Sequence, residues 1–262
     1  MDVLSNGRVP RGGHPIVDGP RVLEKCIWEL TRACNLRCVH CENRSGPRSP
    51  RELSVALLFT VAEELVAAGC RGVILTGGEP LLRPAWSELA SKLHTAGVQV
   101  ALVTNGTLLD DVALERCEAS GVTAVGVSLD GLEPTHDGIR LGAVQGQSPF
   151  QSATDALRRA ARRLSTVAIT QVNQRNLREL PAMGALLSSL GVSRWQIQLA
   201  IPLGRLQDLR EPFILVPEQL PELARFLTEA LVDPSMPMIE VSDTIGYCTA
   251  EDALLRDRKS VV

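Results

Sequence analysis

Three cysteines stand within eight residues in Cys34-Asn-Leu-Arg-Cys38-Val-His-Cys41, a Cys-x3-Cys-x2-Cys spacing that directly follows a β-rich run. A loop of that length can turn three sulfurs toward one centre. The other four cysteines, Cys26, Cys70, Cys117 and Cys248, are scattered. Outside an oxidising compartment a tight cysteine group reads as metal-binding or catalytic before disulfide, and a disulfide would leave one of the three thiols unused. A structural zinc needs four ligands. The fourth would have to be a distant cysteine or His40, whose neighbour Cys41 crowds the same tetrahedral ion. A four-iron cube takes a ligand on each iron, so three thiolates leave one iron open to a substrate or cofactor. Spacing leaves zinc and cluster both open, and three ligands suit the cluster better.

The elements that must position this loop follow from periodicity. Short β-rich runs cover residues 26–31, 72–76, 98–104, 123–128, 166–172 and 194–199, with a possible seventh at 238–242. Amphipathic stretches lie between them, at 55–69, 86–96, 110–119, 150–164, 176–190 and 217–231. In the first, Leu57, Leu58, Val61, Leu65 and Val66 form a helical stripe. Gly69, Gly97, Gly121 and Gly191 sit where helix C-caps belong. Successive strand starts leave room for a strand, a helix and two loops each. Six βα units in a row predict an α/β fold with a parallel sheet and outer helices, connected by right-handed crossovers. Six units are fewer than the eight of a closed barrel, so the expectation is an open sheet or a partial (β/α)6 TIM-like barrel. In either, ligands sit at the C-terminal ends of the strands.

Composition excludes several classes of function. The 262 residues carry 27 Lys+Arg against 30 Asp+Glu, a net charge of −3, which gives no basic footprint for nucleic acid. Four Phe, three Trp and one Tyr are too few for a base-stacking platform. No apolar run approaches the ~20 residues of a membrane span. The polar, Gly/Pro-rich stretch 1–20 lacks the apolar core of a secretory signal. The expected setting is therefore cytoplasmic, with no nucleic-acid or membrane partner. The Gly-rich loop 142–148 reads as a plain surface connection.

Further motifs stand at the strand ends. Thr76-Gly77-Gly78-Glu79-Pro80 ends the second strand, Thr104-Asn105-Gly106 the third, and Val127-Ser128-Leu129-Asp130-Gly131 the fourth. Together with Trp28-Glu-Leu-Thr-Arg-Ala-Cys34 and the cysteine triplet, these four ordered motifs resemble the radical S-adenosylmethionine (SAM) superfamily over roughly residues 22–250. The resemblance implies that Cys34, Cys38 and Cys41 hold a [4Fe–4S] cluster whose open iron chelates SAM. One electron, from a donor such as flavodoxin or ferredoxin, then cleaves SAM to a 5′-deoxyadenosyl radical that abstracts a substrate hydrogen. Gly77 and Gly78 would let the backbone approach the methionine moiety, Glu79 would meet its ammonium group, and Pro80 would fix the turn. Ser128 and Asp130 would bind the ribose, although an Asx-type turn accounts for them equally well. Asn105 is expected as a polar support, Arg140 near the methionine carboxylate, and His40 against the adenine. Gln171, Asn173 and Gln198 lie on strands five and six and can face a site or satisfy the core. Arg205, in Pro202-Leu-Gly-Arg205, resembles a turn of the family after strand six.

Within the superfamily, Asn173-Gln-Arg-Asn176-Leu177, Pro202-Leu-Gly-Arg205 and Gly246-Tyr247-Cys248 resemble the SPASM/twitch branch, whose members carry a C-terminal auxiliary-cluster extension. Cys248 stands alone beyond Cys117. The expectation is one cluster per chain, divided as a 1–21 extension, a 22–235 core and a 236–262 segment that begins a truncated or absent auxiliary domain. The branch implies maturation of a ribosomal peptide or peptide-derived cofactor. The alternatives are modification of a tetrapyrrole or another small molecule, or a non-enzymatic zinc- or cluster-binding protein.

Overall fold

A computed structural model describes residues 23–142, 146–209 and 212–242. Seven strands form one sheet in chain order: β1 (Lys25–Glu29), β2 (Gly72–Thr76), β3 (Gln99–Thr104), β4 (Val122–Ser128), β5 (Ser165–Val172), β6 (Arg194–Leu199) and β7 (Met238–Val241). Every neighbouring pair is parallel. Such an order requires a crossover after each strand. These are α1 (Val55–Ala67), α2 (Trp86–Thr95), α3 (Asp111–Ala119), α4 (Glu133–Ile139) with α5 (Pro149–Ala160), α6 (Leu180–Ser189) and α7 (Leu220–Val232). The partial TIM-like barrel expected from the sequence is present, with two differences. The seventh run is a true strand whose Met238 and Ile239 stand opposite Arg194 and Trp195. The sheet therefore continues past residue 235, where the sequence placed the end of the core. The short helix α4 was not expected; it fills the long β4–β5 interval. The Gly246-Tyr247-Cys248 segment and residues 1–21 lie outside the described residues.

Strand alternation sorts side chains into two layers. Val73 and Leu75, Val100 and Leu102, Val125 and Val127, and Trp195 and Ile197 join the large core between sheet and helices. Ile74, Ala101, Ala124, Val167 and Ile169 face the other way and line the barrel interior as a smaller apolar cluster. Because both faces are covered, the strands read as near-continuous apolar runs. Ser54, Asp110 and Ser148 cap their helices by accepting the N–H of Leu57, Ala113 and Gln151. The four C-cap glycines expected at 69, 97, 121 and 191 all adopt positive φ.

Candidate active site

The cysteine loop leaves β1 and is pinned against the C-terminal rim of the barrel from five directions. Across its own span, Cys34 N–H donates to Gly46 O at 2.8 Å, and Ala33 and Gly46 form a bridge. On its far side, Arg37 N–H and Val39 N–H donate to Leu141 O and Ile139 O, at the C-terminal end of α4. From the turn after β2, Gly78 N–H donates to Thr31 O at 2.7 Å and Glu79 N–H to Ala33 O at 2.8 Å. After β6, Arg205 donates through its backbone to Cys41 O, and through its guanidinium to Cys38 O and Ser45 O. Finally, Glu52 accepts from Thr31 Oγ1 (2.7 Å), Arg32 N–H (2.9 Å) and Arg83 (3.2 Å), tying the loop's two ends to the turn after β2.

These contacts change the reading of Gly77 and Gly78. A Cβ on Gly77 would lie 2.4 Å from Thr31 O, and one on Gly78 would lie 2.3 Å from Ala33 O. The glycines are small because the backbone of the cysteine loop rests on them, in addition to bordering the pocket. Gly77 also holds φ at +147°, a region other residues rarely adopt.

Nine of the twelve expected site residues line one cavity of about 380 Å³: Cys34, Cys38, Cys41, His40, Gly77, Gly78, Asn105, Ser128 and Arg140. Thr76, Thr104, Gln171, Gln198, Glu42, Asn43, Ser45 and Arg205 complete its polar wall, and Ile27, Leu36 and Val103 its apolar one. Three expected residues do not reach the surface of this cavity. Pro80 is buried at the start of a 3-10 turn, Pro80–Leu82. Glu79 is wholly buried; its Oε1 accepts from Thr104 Oγ1 (2.8 Å) and Leu81 N–H (3.1 Å), and its Oε2 from Asn105 N–H (2.9 Å). Burial raises its carboxyl from the ordinary 4.5 to about 7, against the lowering effect of these hydrogen bonds.

Asp130 is the clearer correction. Its carboxylate has no exposure and is engaged on both oxygens. Oδ1 accepts Gln171 N–H at 2.8 Å, while Oδ2 accepts Arg140 Nε at 2.6 Å and faces His40 Nε2 at 2.9 Å. Asp130 N–H donates to His136 Nδ1 at 3.0 Å, and Asp130 O accepts from Asn176. Burial opposes its charge, but the Arg140 guanidinium and His40 outweigh that and hold the carboxyl well below the usual range. Asp130 is held behind the cavity wall, where it orients Arg140 and His40, which do line the cavity. This hub is not legible in the sequence, because its members lie 6 to 90 residues from Asp130 and meet it only in the fold. His136 was likewise missed: it is fully buried, and burial pushes its imidazole down to about 3.

Of the strand amides, Gln171 and Gln198 line the cavity and stand opposite each other on β5 and β6. Asn173 does not; it is buried and donates to Gln171 O. Asn105 Nδ2 donates to Asn35 Oδ1 at 2.9 Å and approaches Cys34 Sγ at 3.8 Å.

The residues fit an iron–sulfur cluster. Cys34, Cys38 and Cys41 are free thiols that border one space. Among the described residues no three His, Cys, Asp or Glu side chains converge tightly enough for a single ion. A cube takes each thiolate on a separate iron and so suits three thiols spread around one space. Leu36 N–H and Ser45 N–H point at Cys34 Sγ (3.5 Å) and Cys41 Sγ (3.2 Å), bonds of the kind that tune cluster potential. Burial raises the Cys34 thiol and pushes Cys38 up to about 11, so ligation must displace these protons. His40 Nδ1, Ser45 Oγ and Gln171 Oε1 are buried at this cavity without a partner among the described residues, as befits groups that meet a ligand.

Comparison with known proteins agrees. An AdoMet-dependent heme synthase of Methanosarcina barkeri is 35% identical over 192 residues, covering 72% of this chain and 53% of that protein. The mycofactocin maturase MftC of Mycobacterium tuberculosis is 35% identical over 202 residues, covering 72% and 50%. The chain thus spans about half the length of the curated relatives it matches, which belong to the SPASM/twitch-type branch. In fold, it matches Streptococcus suis SuiB bound to S-adenosylmethionine with a TM-score of 0.69 at 14% identity, over 85% of this chain and 50% of that one. It matches anSMEcpe with bound AdoMet at 0.67 and 19% identity, over 79% and 59%. The family model described as the radical SAM superfamily matches residues 28–187, and with the three cysteines, Gly77, Gly78, Asn105 and Ser128 lining one cavity, the chain belongs to that superfamily, whose cofactors are a [4Fe–4S] cluster and SAM.

Proposed function

We propose that this chain is the SAM-cleaving core of an enzyme that matures a peptide or peptide-derived precursor. The reaction class rests on one observation: three thiols share a cavity with the SAM-facing strand ends. When bound, the cluster and SAM supply a 5′-deoxyadenosyl radical that removes a substrate hydrogen. The chain's own residues divide the remaining work. Arg140, held through Nε by Asp130, presents its terminal N–H groups to the methionine carboxylate. The Glu79 carboxylate, adjoining the Gly77–Gly78 wall, balances the ammonium. Ser128 offers a hydroxyl to the ribose, and the His40 ring, oriented by Asp130, borders the adenine. The apolar inner layer of Ile74, Ala101, Ala124, Val167 and Ile169 keeps water from the floor of the barrel, which protects a radical from side reactions. An electron comes from outside, from a carrier of the flavodoxin or ferredoxin type, in a cytoplasmic setting that keeps these thiols reduced. Among the described residues, no helix is long and apolar enough to cross a membrane.

The cavity wall supports the peptide reading. Gln171 and Gln198 offer paired side-chain amides that match the donors and acceptors of a peptide bond. Of the two guanidiniums on the wall, Arg140 is held through Nε by Asp130 and turns its remaining N–H groups to the methionine carboxylate, and Arg205 is engaged by the carbonyls of Cys38 and Ser45. Neither stands free for the carboxylates of a tetrapyrrole. The tetrapyrrole reading remains the second one, favoured by the 35% identity to a heme synthase. The test is anaerobic incubation of the reconstituted protein with SAM and dithionite. Production of 5′-deoxyadenosine supports the reaction class, and its absence from a cluster-loaded protein overturns it. Stimulation of this cleavage by a candidate precursor peptide, and not by an iron porphyrin, supports the substrate class; the reverse pattern overturns it.

A further inference from the structure

The exposed charge of this chain is unevenly distributed. The whole sequence carries −3, yet residues 32–51 hold Arg32, Arg37, Arg44, Arg48 and Arg51 against the single acid Glu42, a local excess of four positive charges. All five arginines are exposed. This stretch is the loop that bears Cys34, Cys38 and Cys41. The Ala33–Gly46 bridge folds it back on itself and lays its second half beside Cys34.

Outside that fold runs a groove of about 690 Å³, lined in part by Cys34, Arg37, Arg44, Leu141 and Arg205. Cys34 therefore borders two spaces: the inner cavity described above, and this outer groove that opens toward solvent. A group resting in the groove approaches the iron site through Cys34 without entering the substrate side. Arg44 is partly neutralised by Asp208 and Arg48 by Glu52. Arg37 has no acidic partner among the described residues, and Leu141, 43% exposed, gives the groove an apolar contact. Of the five arginines, Arg37 and Arg44 line the groove, with Arg205 beside them, and cationic groups around a small apolar patch suit a transient protein contact steered by charge. No aromatic side chain lines the groove, so it offers nothing for nucleobases to stack on.

We propose that this groove and its arginine rim are the docking surface for an acidic one-electron carrier protein, which reduces the cluster by way of Cys34. The proposal rests on the radical SAM reading above. In the step concerned, one electron leaves the carrier for the cluster; no bond forms or breaks, and no proton moves. The opposed charges accelerate encounter at low salt, and the gain fades as the screening length shrinks from about 10 Å at 0.1 M to about 3 Å at 1 M.

The experiment uses the reconstituted protein and a photoreduced acidic flavodoxin as probe. Stopped-flow absorbance gives the second-order rate of cluster reduction, and titration without SAM gives the dissociation constant. In the parent, the rate should fall at least about tenfold between 20 mM and 500 mM salt. Arg37→Glu should lower the low-salt rate and weaken binding by about fivefold or more, with Arg37→Lys close to the parent. Iron content and reduction by dithionite report on the cluster itself, so loss of those would implicate the radical SAM reading rather than the docking surface. Should Arg37→Glu fail to take up iron, Arg37→Gln and the salt dependence of the parent decide the matter. An unchanged flavodoxin rate in the charge variant, or a salt-independent rate in the parent, would overturn the proposal.

Discussion

Replacing Asp130 by alanine tests the idea that one buried carboxylate sets the geometry of the cofactor wall. The side chain is fully buried, and its removal orphans three donors at once: Arg140 Nε at 2.6 Å, His40 Nε2 at 2.9 Å and Gln171 N–H at 2.8 Å. Arg140 keeps only 13% of its side-chain exposure, so its charge loses its counter-ion without regaining water. Breaking a buried ion pair from one side costs about 3–5 kcal/mol, and an orphaned backbone N–H adds about 1–3 kcal/mol. The groups share one network, so these figures overlap, and the expected loss is about 4 kcal/mol. The assay is anaerobic urea denaturation of the cluster-free protein, with SAM affinity measured separately on the reconstituted one. The carboxyl is held below its ordinary 3.8, so its stabilisation is complete above that value and is lost as the pH falls below it. The gap between parent and variant should therefore be wide at pH 7 and narrow progressively below pH 3.8. SAM binding should weaken as well, because Arg140 and His40 lose their orientation. A destabilisation under about 1 kcal/mol at pH 7 with an unchanged m-value, or normal SAM binding, would refute the hub.

Other outcomes follow from the same geometry. Cys38→Ala should abolish cluster absorption and SAM cleavage together; retention of a full cluster would remove Cys38 from the ligand set. Glu79→Gln should weaken SAM binding about tenfold or more while iron content persists. Because burial raises the Glu79 carboxyl from 4.5 to about 7, holding it ionised costs the SAM-free parent about 3 kcal/mol above pH 7 and nothing below pH 4.5. The Gln variant should accordingly gain stability relative to the parent as pH rises through that window, as urea midpoints at pH 5 and 8 will show. Gly78→Ala drives a Cβ to 2.3 Å from Ala33 O, which should cost about 2–3 kcal/mol and impair iron uptake; thermal melts and iron content after reconstitution read both effects.

The sequence by itself determined the alternation of strands and helices, because a buried parallel strand and an amphipathic helix leave distinct periods in a single segment. It likewise determined the cysteine loop and the motifs at the ends of β2, β3 and β4, since each is contiguous and lies where a parallel sheet places its ligands. Nine of the twelve residues singled out that way share the cavity. What remained hidden is pairwise and long-range. Nothing local in Glu52 tells that it fastens Thr31, Arg32 and Arg83, and nothing in Ser-Leu-Asp tells that the buried Asp130 holds Arg140 and His40. Gly77 and Gly78 looked like room for a ligand, and the fold shows that they also make room for the backbone at Thr31 and Ala33. The seventh strand is only four residues long, so the sequence offered it as a possible run and the edge of β6 makes it a strand. Only the tertiary structure decided these points, because a buried charge and a close backbone contact are set by partners that chain connectivity keeps apart and packing brings together.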